Sequence, residues 1–330
     1  MREVVFVRRH ADAWRDFETR LDAPETPDPD ALAEGYVRLG DDLAYAKTFY
    51  PGSATAAYLN DLSAETHGRI YRNRREERGR LLRFWAEEVP RAVWRSRRSM
   101  IAAVLVFGLA VAAGVASAIG DDGFVRLILG DGYVNMTLDN IEDDDPFRVY
   151  KEMRQDDMTA YIGLNNIMVS FFAFIGVIQE LGLPAAWVGT AWALIRNGVM
   201  VGAFAHLFGA EGLIGEWFRV VFIHGMLELT AIALAGGAGF TMWSGLLLPG
   251  TYPRMTAFRR SAVRGLKIII GLVPVFVAAA LLEGFVTRLT GMPLWGSALV
   301  IGGSAAFLLW YFVVLPVRIG RRDAAPSPAA

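Results

Sequence analysis

Residues 217–248 read WFRVVFIHGMLELTAIALAGGAGFTMWSGLLL, an apolar run that nonetheless carries His224 and Glu228. Crossing a bilayer takes ~20 predominantly apolar residues, and a charged group at bilayer depth costs roughly 2.5 kcal/mol or more. At a spacing of four, the imidazole and the carboxylate share one helix face. That face continues through Ala231, Ala235 and Gly239, a small-residue stripe that lets another helix come close. The run therefore reads as a membrane helix that turns its polar and small side chains toward neighbouring helices. An all-α membrane bundle follows.

Composition agrees. The chain has 330 residues, of which 54% are hydrophobic, with a mean hydropathy of +0.33, too apolar for one ordinary soluble domain of this length. Further spans are expected at about 100–119, 158–178, 185–208, 266–286 and 294–317, making six with the opening run. Six crossings put both termini on one side of the membrane. Arg95, Arg97 and Arg98 precede the first span, Arg254, Arg259, Arg260, Arg264 and Lys267 separate the fourth from the fifth, and Arg318, Arg321 and Arg322 follow the sixth. All three clusters fall on that same side, which the positive-inside rule makes cytoplasmic, so a multi-pass protein of the cytoplasmic (inner) membrane is expected.

Around the bundle, residues 1–97 read as a cytoplasmic helical domain, 98–318 as the transmembrane domain and 319–330 as a disordered tail. Trp85, Trp94, Arg95, Arg97 and Arg98 suit either a helix lying at the headgroups or a solvated helix running into the membrane. The segment 120–157 faces outward and is acidic; its Asp143–Asp145 run reads as a solvated face rather than a cation site, because no alternating Gly-punctuated loop surrounds it. Phe124, Val125, Leu127, Ile128 and Leu129 suggest a short amphipathic helix resting on the outer leaflet. The absence of Cys excludes disulfides, thiolate metal sites and a Cys nucleophile. The N-terminal apolar stretch is too short for a signal peptide, so the first membrane helix is expected to do the targeting.

Polar residues inside the expected spans are the candidate site: Asn165 and Asn166 in the second, Arg196 and Asn197 in the third, His224 and Glu228 in the fourth. Counted from the outer ends at ~1.5 Å per residue, Asn165 and His224 lie about 10 Å deep and Arg196 and Glu228 about 17 Å deep. One layer results. It admits three readings. In the first, Arg196 and Glu228 form an interhelical ion pair with Asn165, Asn166 and His224 as hydrogen-bonding glue, and Gly198, Gly202, Gly225, Ala231, Ala235 and Gly239 let the helices approach. In the second, the glycines after Asn197 and His224 interrupt their helices and open a permease-like polar site at Asn165, Arg196 and Glu228. In the third, His224 and Glu228 form a metal-ligand or acid/base pair of an intramembrane enzyme. Two ligands do not close a zinc site, and the remaining His10, His67 and His206 offer at most one companion at depth. No His-Glu-x-x-His, Gly-x-Ser-x-Gly or Walker sequence occurs. The expectation is therefore a protein without catalytic residues, cofactor or metal. Glu283 and Glu180, near span ends, are assigned to headgroups and water.

These residues resemble the stage II sporulation protein M family of bacterial membrane proteins. The likeness is carried by Asn165-Asn166 opening a Gly-containing apolar helix, by Asn197-Gly198, and above all by His224-Gly225-x-x-Glu228-Leu229-x-Ala231 followed by Ala235-Gly236-Gly237-Ala238-Gly239. The soluble part is similar too, in Arg8-Arg9, Trp14, Asp41-Asp42-Leu43-Ala44-Tyr45-Ala46, Tyr58-Leu59-Asn60 and His67-Gly68-Arg69-Ile70-Tyr71, so the resemblance covers about residues 5–317. It implies a multi-span inner-membrane scaffold. The family's sporulation member organises two peptidoglycan-degrading proteins, stage II sporulation proteins D and P, on the outer membrane face during engulfment. Expected partners are membrane lipid and membrane or envelope proteins, peptidoglycan hydrolases among them, with room for a homo-oligomer and none for nucleic acid. The soluble region 1–97 is longer than in the sporulation form and matches the broader branch of the family.

Overall fold

The computed structural model describes residues 2–22, 29–72, 79–152, 155–178, 183–289 and 291–324, in two compact units, Met1–Arg80 and Leu81–Ala330. The first unit holds three helices, α1 (Glu3–Asp22), α2 (Pro29–Phe49) and α3 (Ala54–Arg72). Phe6, Trp14, Leu21, Leu39, Leu59 and Leu62 form its core. Pro29 occupies the first turn of α2, where a missing N–H costs nothing, and Gly52 supplies the left-handed turn (φ 80°) into α3. The Trp14 indole donates to Asp42 at 2.7 Å, so the largest core side chain keeps its polar edge satisfied.

The second unit begins with α4 (Arg80–Arg83), a π-helical turn (Phe84–Glu88) and α5 (Val89–Arg95). Here the structure differs from the expected domain boundary near residue 97. Val89, Ala92 and Val93 are buried in the core of this unit, Lys267 pairs with Glu88 and Arg91 with Asp323, each at 2.7 Å. The Tyr311 hydroxyl donates to the Trp85 carbonyl at 2.7 Å. The segment therefore packs against the rest of the unit along one face. Its apolar positions 89, 92 and 93 are helix-spaced, and the glycines Gly271 and Gly320 leave room for Val89 and Trp94.

The long helices follow: α6 (Arg97–Gly120), α7 (Asp122–Leu129), α8 (Asp131–Glu142), α9 (Val149–Glu152), α10 (Gln155–Ile175), α11 (Ala186–Ala210), α12 (Ile214–Leu247) and α13 (Arg254–Leu281). A π-helical turn (Leu282–Thr287) extends α13, and α14 (Leu294–Leu309) passes through another (Trp310–Val314) into α15 (Leu315–Ala324). Residues 319–324, expected to be disordered, are helical because Ile319 and Gly320 are buried and Asp323 meets Arg91; 325–330 lie outside the described residues. A two-stranded antiparallel hairpin joins α10 to α11, with β1 (Val177–Ile178) opposite β2 (Leu183–Pro184).

Among the described residues, five helical stretches are long and apolar enough to cross a membrane: Arg97–Gly120, Ala186–Ala210, Ile214–Leu247, Arg254–Thr287 and Leu294–Ala324. The expected second span is α10, whose apolar part, Thr159–Ile175, is shorter than the others. Its direction is nonetheless that of a crossing helix. Gly239 of α12 meets Ala173 and Phe174, while Asn166 meets Glu228 nearer the start of both helices, so α10 and α12 run parallel. Gly198 meets Phe107 and Ala110, and Gly202 meets Val111 and Val115, so α6 and α11 run parallel as well. Large apolar side chains such as Ile101, Leu109, Val188, Leu299 and Val313 are exposed around the outside, as lipid-facing helices require. At the centre lies α12, apolar on every side and almost wholly buried from Ala231 to Met242.

Beyond α6, helices α7 to α9 form a cap. Asp121 starts α7 by accepting from the Gly123 N–H at 2.8 Å. Val125, Val134, Phe147 and Tyr150 then pack against Phe208, Trp217 and Val220, with Phe147 stacked on Phe208 at 5.2 Å. Asp131, Asp139, Glu142, Asp143 and Asp144 stay exposed. Asp143 and Asp145 pair with Arg148 (2.9 Å) and Lys151 (2.7 Å), which makes this run an internally balanced surface.

Candidate functional site

The polar layer gathers where α12, α10, α9 and the π-helical turn after α13 meet. Helix α12 is unbroken through His224-Gly225, and α11 through Asn197-Gly198, so neither glycine interrupts its helix. His224 is 5% exposed and Glu228 half-buried, one turn apart on the face toward α10 and α13. Asn166, itself buried, stands beside the Glu228 carboxylate.

The residue that sequence reasoning missed is Glu283. Assigned to headgroups and water by its place near a span end, it is in fact 7% exposed, with Oε1 3.7 Å from His224 Nε2. The signal was the pair Glu283 and Thr287, four apart like His224 and Glu228 and at the matching depth of an antiparallel neighbour. In a π-helical turn the backbone widens by one residue, which brings both side chains to the interior face. Thr287, 1% exposed, lies with Oγ1 3.0 Å from His224 Nδ1. The ring of Tyr150, from the cap, stands edge-on to the imidazole at 5.9 Å. His224, Glu228 and Glu283 each offer a ligand atom, and these three atoms lie within 4.8 Å of one another.

The other predicted site residues separate. Asn165 is exposed and donates to the Asn166 side chain at 3.4 Å. Arg196 is exposed on α11; among the described residues, Asn166 and the Glu283 cluster stand against Glu228. Asn197 donates to the Ala193 carbonyl of its own helix at 2.8 Å. Glu180 lies outside the described residues. Among the small residues, Gly198 and Gly202 serve the contact with α6; a Cβ at Gly202 would collide with the Val111 carbonyl oxygen. Gly239 does the same for α10 and α11, and Ala231 and Ala235 are fully buried beside it. Gly225 differs: a Cβ there would meet its nearest neighbours, Val221 and Leu229 of the same helix, at an ordinary 3.7–3.8 Å.

Fold and site together define a polytopic α-helical integral membrane protein whose bundle encloses a histidine–carboxylate cluster. The chain belongs to the Stage II sporulation protein M family, whose family model matches residues 102–288, more than half of the chain and every member of the cluster. A second family model, a domain of unknown function (DUF8413), matches residues 4–72, which are α1 to α3. No curated protein and no solved structure matches the chain.

Proposed function

We propose that this protein is a non-enzymatic scaffold of the cytoplasmic membrane that recruits cell-envelope proteins, peptidoglycan hydrolases among them, through its cap. The observation that carries the reading is the cap itself: α7 to α9 are anchored to the bundle by Phe147, Tyr150 and Val125, while Asp131, Asp139 and Glu142 of α8 are exposed. A surface held rigidly at one end of a bundle loses little entropy when a partner docks. Orientation follows from the opposite end. There Arg91, Arg95, Arg259, Arg260, Arg264 and Lys267 line a cleft of about 820 Å³ together with Glu87 and Glu88. By the positive-inside rule this basic end faces the cytoplasm, with the N- and C-termini, and the cap faces outward. The permease and enzyme readings draw on the same buried cluster, but α11 and α12 offer no broken helix to line a path.

The test uses intact protein solubilised from its native membrane. Peptidoglycan-degrading activity should co-purify with it and fall at least several-fold when Asp131, Asp139 and Glu142 are changed together to Asn, Asn and Gln. Co-purified activity that is absent from the start, or indifferent to the cap charges, overturns the reading.

A further inference from the structure

We propose that His224, Glu228 and Glu283 form a binding site for one divalent transition-metal ion of the Zn²⁺ type, buried between α12 and the π-helical turn that follows α13. Four observations converge on it. The first is hydrogen-bond direction. The Thr287 hydroxyl stands 3.0 Å from His224 Nδ1 and 3.3 Å from the Leu282 carbonyl; with the imidazole proton on Nδ1 it accepts from the ring and donates to the carbonyl, so both contacts are satisfied at once. That tautomer leaves the Nε2 lone pair facing the Glu283 carboxylate at 3.7 Å. A lone pair set against a carboxylate repels it unless a positive charge stands between them. Metal-bound histidines are arranged in this way, with the second ring nitrogen donating to an outer partner that fixes the ring.

The second observation is an orphan. Glu283 Oε2 is buried without a hydrogen-bond partner, a vacancy that natural proteins rarely leave and that a ligand atom explains. The third is charge. Among the described residues, the side chains set against the cluster are Asn166 at Glu228 and the Tyr150 ring edge and Thr287 hydroxyl at His224, all neutral. The arginines nearest in sequence are turned elsewhere: Arg219 donates to the Met292 carbonyl and Arg288 to the Lys151 carbonyl. A dication would balance both carboxylates. The fourth is spacing. Ligand atoms about 2.0–2.2 Å from a shared ion stand no more than about 4.4 Å apart, so atoms already within 4.8 Å need only small rotamer changes to close on one ion.

The donor set selects the metal class. One imidazole nitrogen and two carboxylates suit Zn²⁺ or its neighbours and leave a further coordination position open, whereas Ca²⁺ and Mg²⁺ prefer six or more oxygens, several from water. This inference stands apart from the scaffold reading, since a scaffold without a metal, or a metal site without scaffolding, would each be self-consistent.

The experiment is metal content and Co²⁺ spectroscopy on the full-length protein in detergent, after loading with stoichiometric metal and desalting. Wild type should retain close to one Zn²⁺ per chain, and Co²⁺ should give the visible bands of a four-coordinate nitrogen–oxygen site. Glu283→Gln and His224→Gln should each retain less than a tenth as much. Failure of wild type to hold metal, leaving the cluster neutralised by protons alone, overturns the proposal, as does full retention by Glu283→Gln, which would place the ion on the surface. Should those variants misassemble, Thr287→Val keeps all three ligands and loses only the support of the ring. Its affinity should fall about 10–100-fold, and an unchanged affinity also overturns the site.

Discussion

The two compact units bury helices by opposite means. In Met1–Arg80 the contact surfaces are large and aromatic: Phe6 stacks on Tyr45 at 5.0 Å, Trp14 fills the centre, and Gly35 leaves space for the Phe17 ring. In the bundle the contact surfaces are small: Gly114, Gly198, Gly202, Gly239, Gly245 and Gly265 set helix against helix with backbone atoms in reach. The solvent explains the contrast. In water each large apolar side chain removed from the surface contributes roughly 1.5–3 kcal/mol, so size is rewarded. In lipid the tails are as apolar as the helix, that gain vanishes, and close backbone approach and interhelical hydrogen bonds remain. The same pairing of imidazole and carboxylate occurs in both units. His10 and Asp42 meet at 3.2 Å with a third of the imidazole open, whereas His224 and Glu283 are closed off on all sides.

Three substitutions would break or sharpen this contrast. The largest effect belongs to Gly239→Leu, since even a Cβ there would stand 2.8 Å from the Ala173 carbonyl and from Thr190 Oγ1. We expect a loss of more than about 4 kcal/mol, read as disappearance of the monodisperse peak in detergent chromatography. An unchanged peak would mean that the helices do not meet through their small residues. Next is Leu59→Ala in the first unit, where the side chain is fully buried. A loss of about 3 kcal/mol is expected, measured as reduced hydrogen-exchange protection of α3; a change within about 0.5 kcal/mol would show that side-chain size does not hold that unit together. The smallest effect concerns Tyr58. Burial, then its hydrogen bond to Glu18 at 2.9 Å, pushes its phenol up to about 12. The raised value means that the stabilisation is complete below pH 10 and is lost as the pH climbs through 12. Wild type should therefore weaken across that window, and Tyr58→Phe, weaker by about 1 kcal/mol at neutral pH, should weaken less steeply; parallel curves would remove Tyr58 from the account.

Much of this was legible from residue patterns. The run around His224 announced a membrane helix with an interior face, and the polar layer grouped Asn166 with Glu228, although its depth count matched Glu228 to Arg196. The short helix at 122–129 was visible in its apolar spacing. What escaped had physical reasons. Glu283 looked like an interfacial residue because position along a span reports depth and says nothing of direction around the axis, and the π-helical turn that rotates it inward has no simple signature. Arg196 shares the depth of Glu228 but sits on an exposed face of α11, the same confusion of height with azimuth. The segment 84–95 looked like a surface helix because its arginines dominate the composition, while Val89, Ala92 and Val93 decide where it packs.

The brevity of α10 reaches beyond the protein. Its apolar part, Thr159–Ile175, extends about 25 Å at ~1.5 Å per residue, and Tyr161, Leu164, Met168 and Phe171 present it to the surroundings. The hydrocarbon core of a bilayer is about 30 Å thick; a span shorter than that is matched by local thinning or by snorkelling of its flanking residues, and a longer one by tilt. Counted over the described residues, that apolar length falls short of the ~20 residues of an ordinary crossing, so matching α10 to a bilayer falls to its polar flanks and to the lipids beside it.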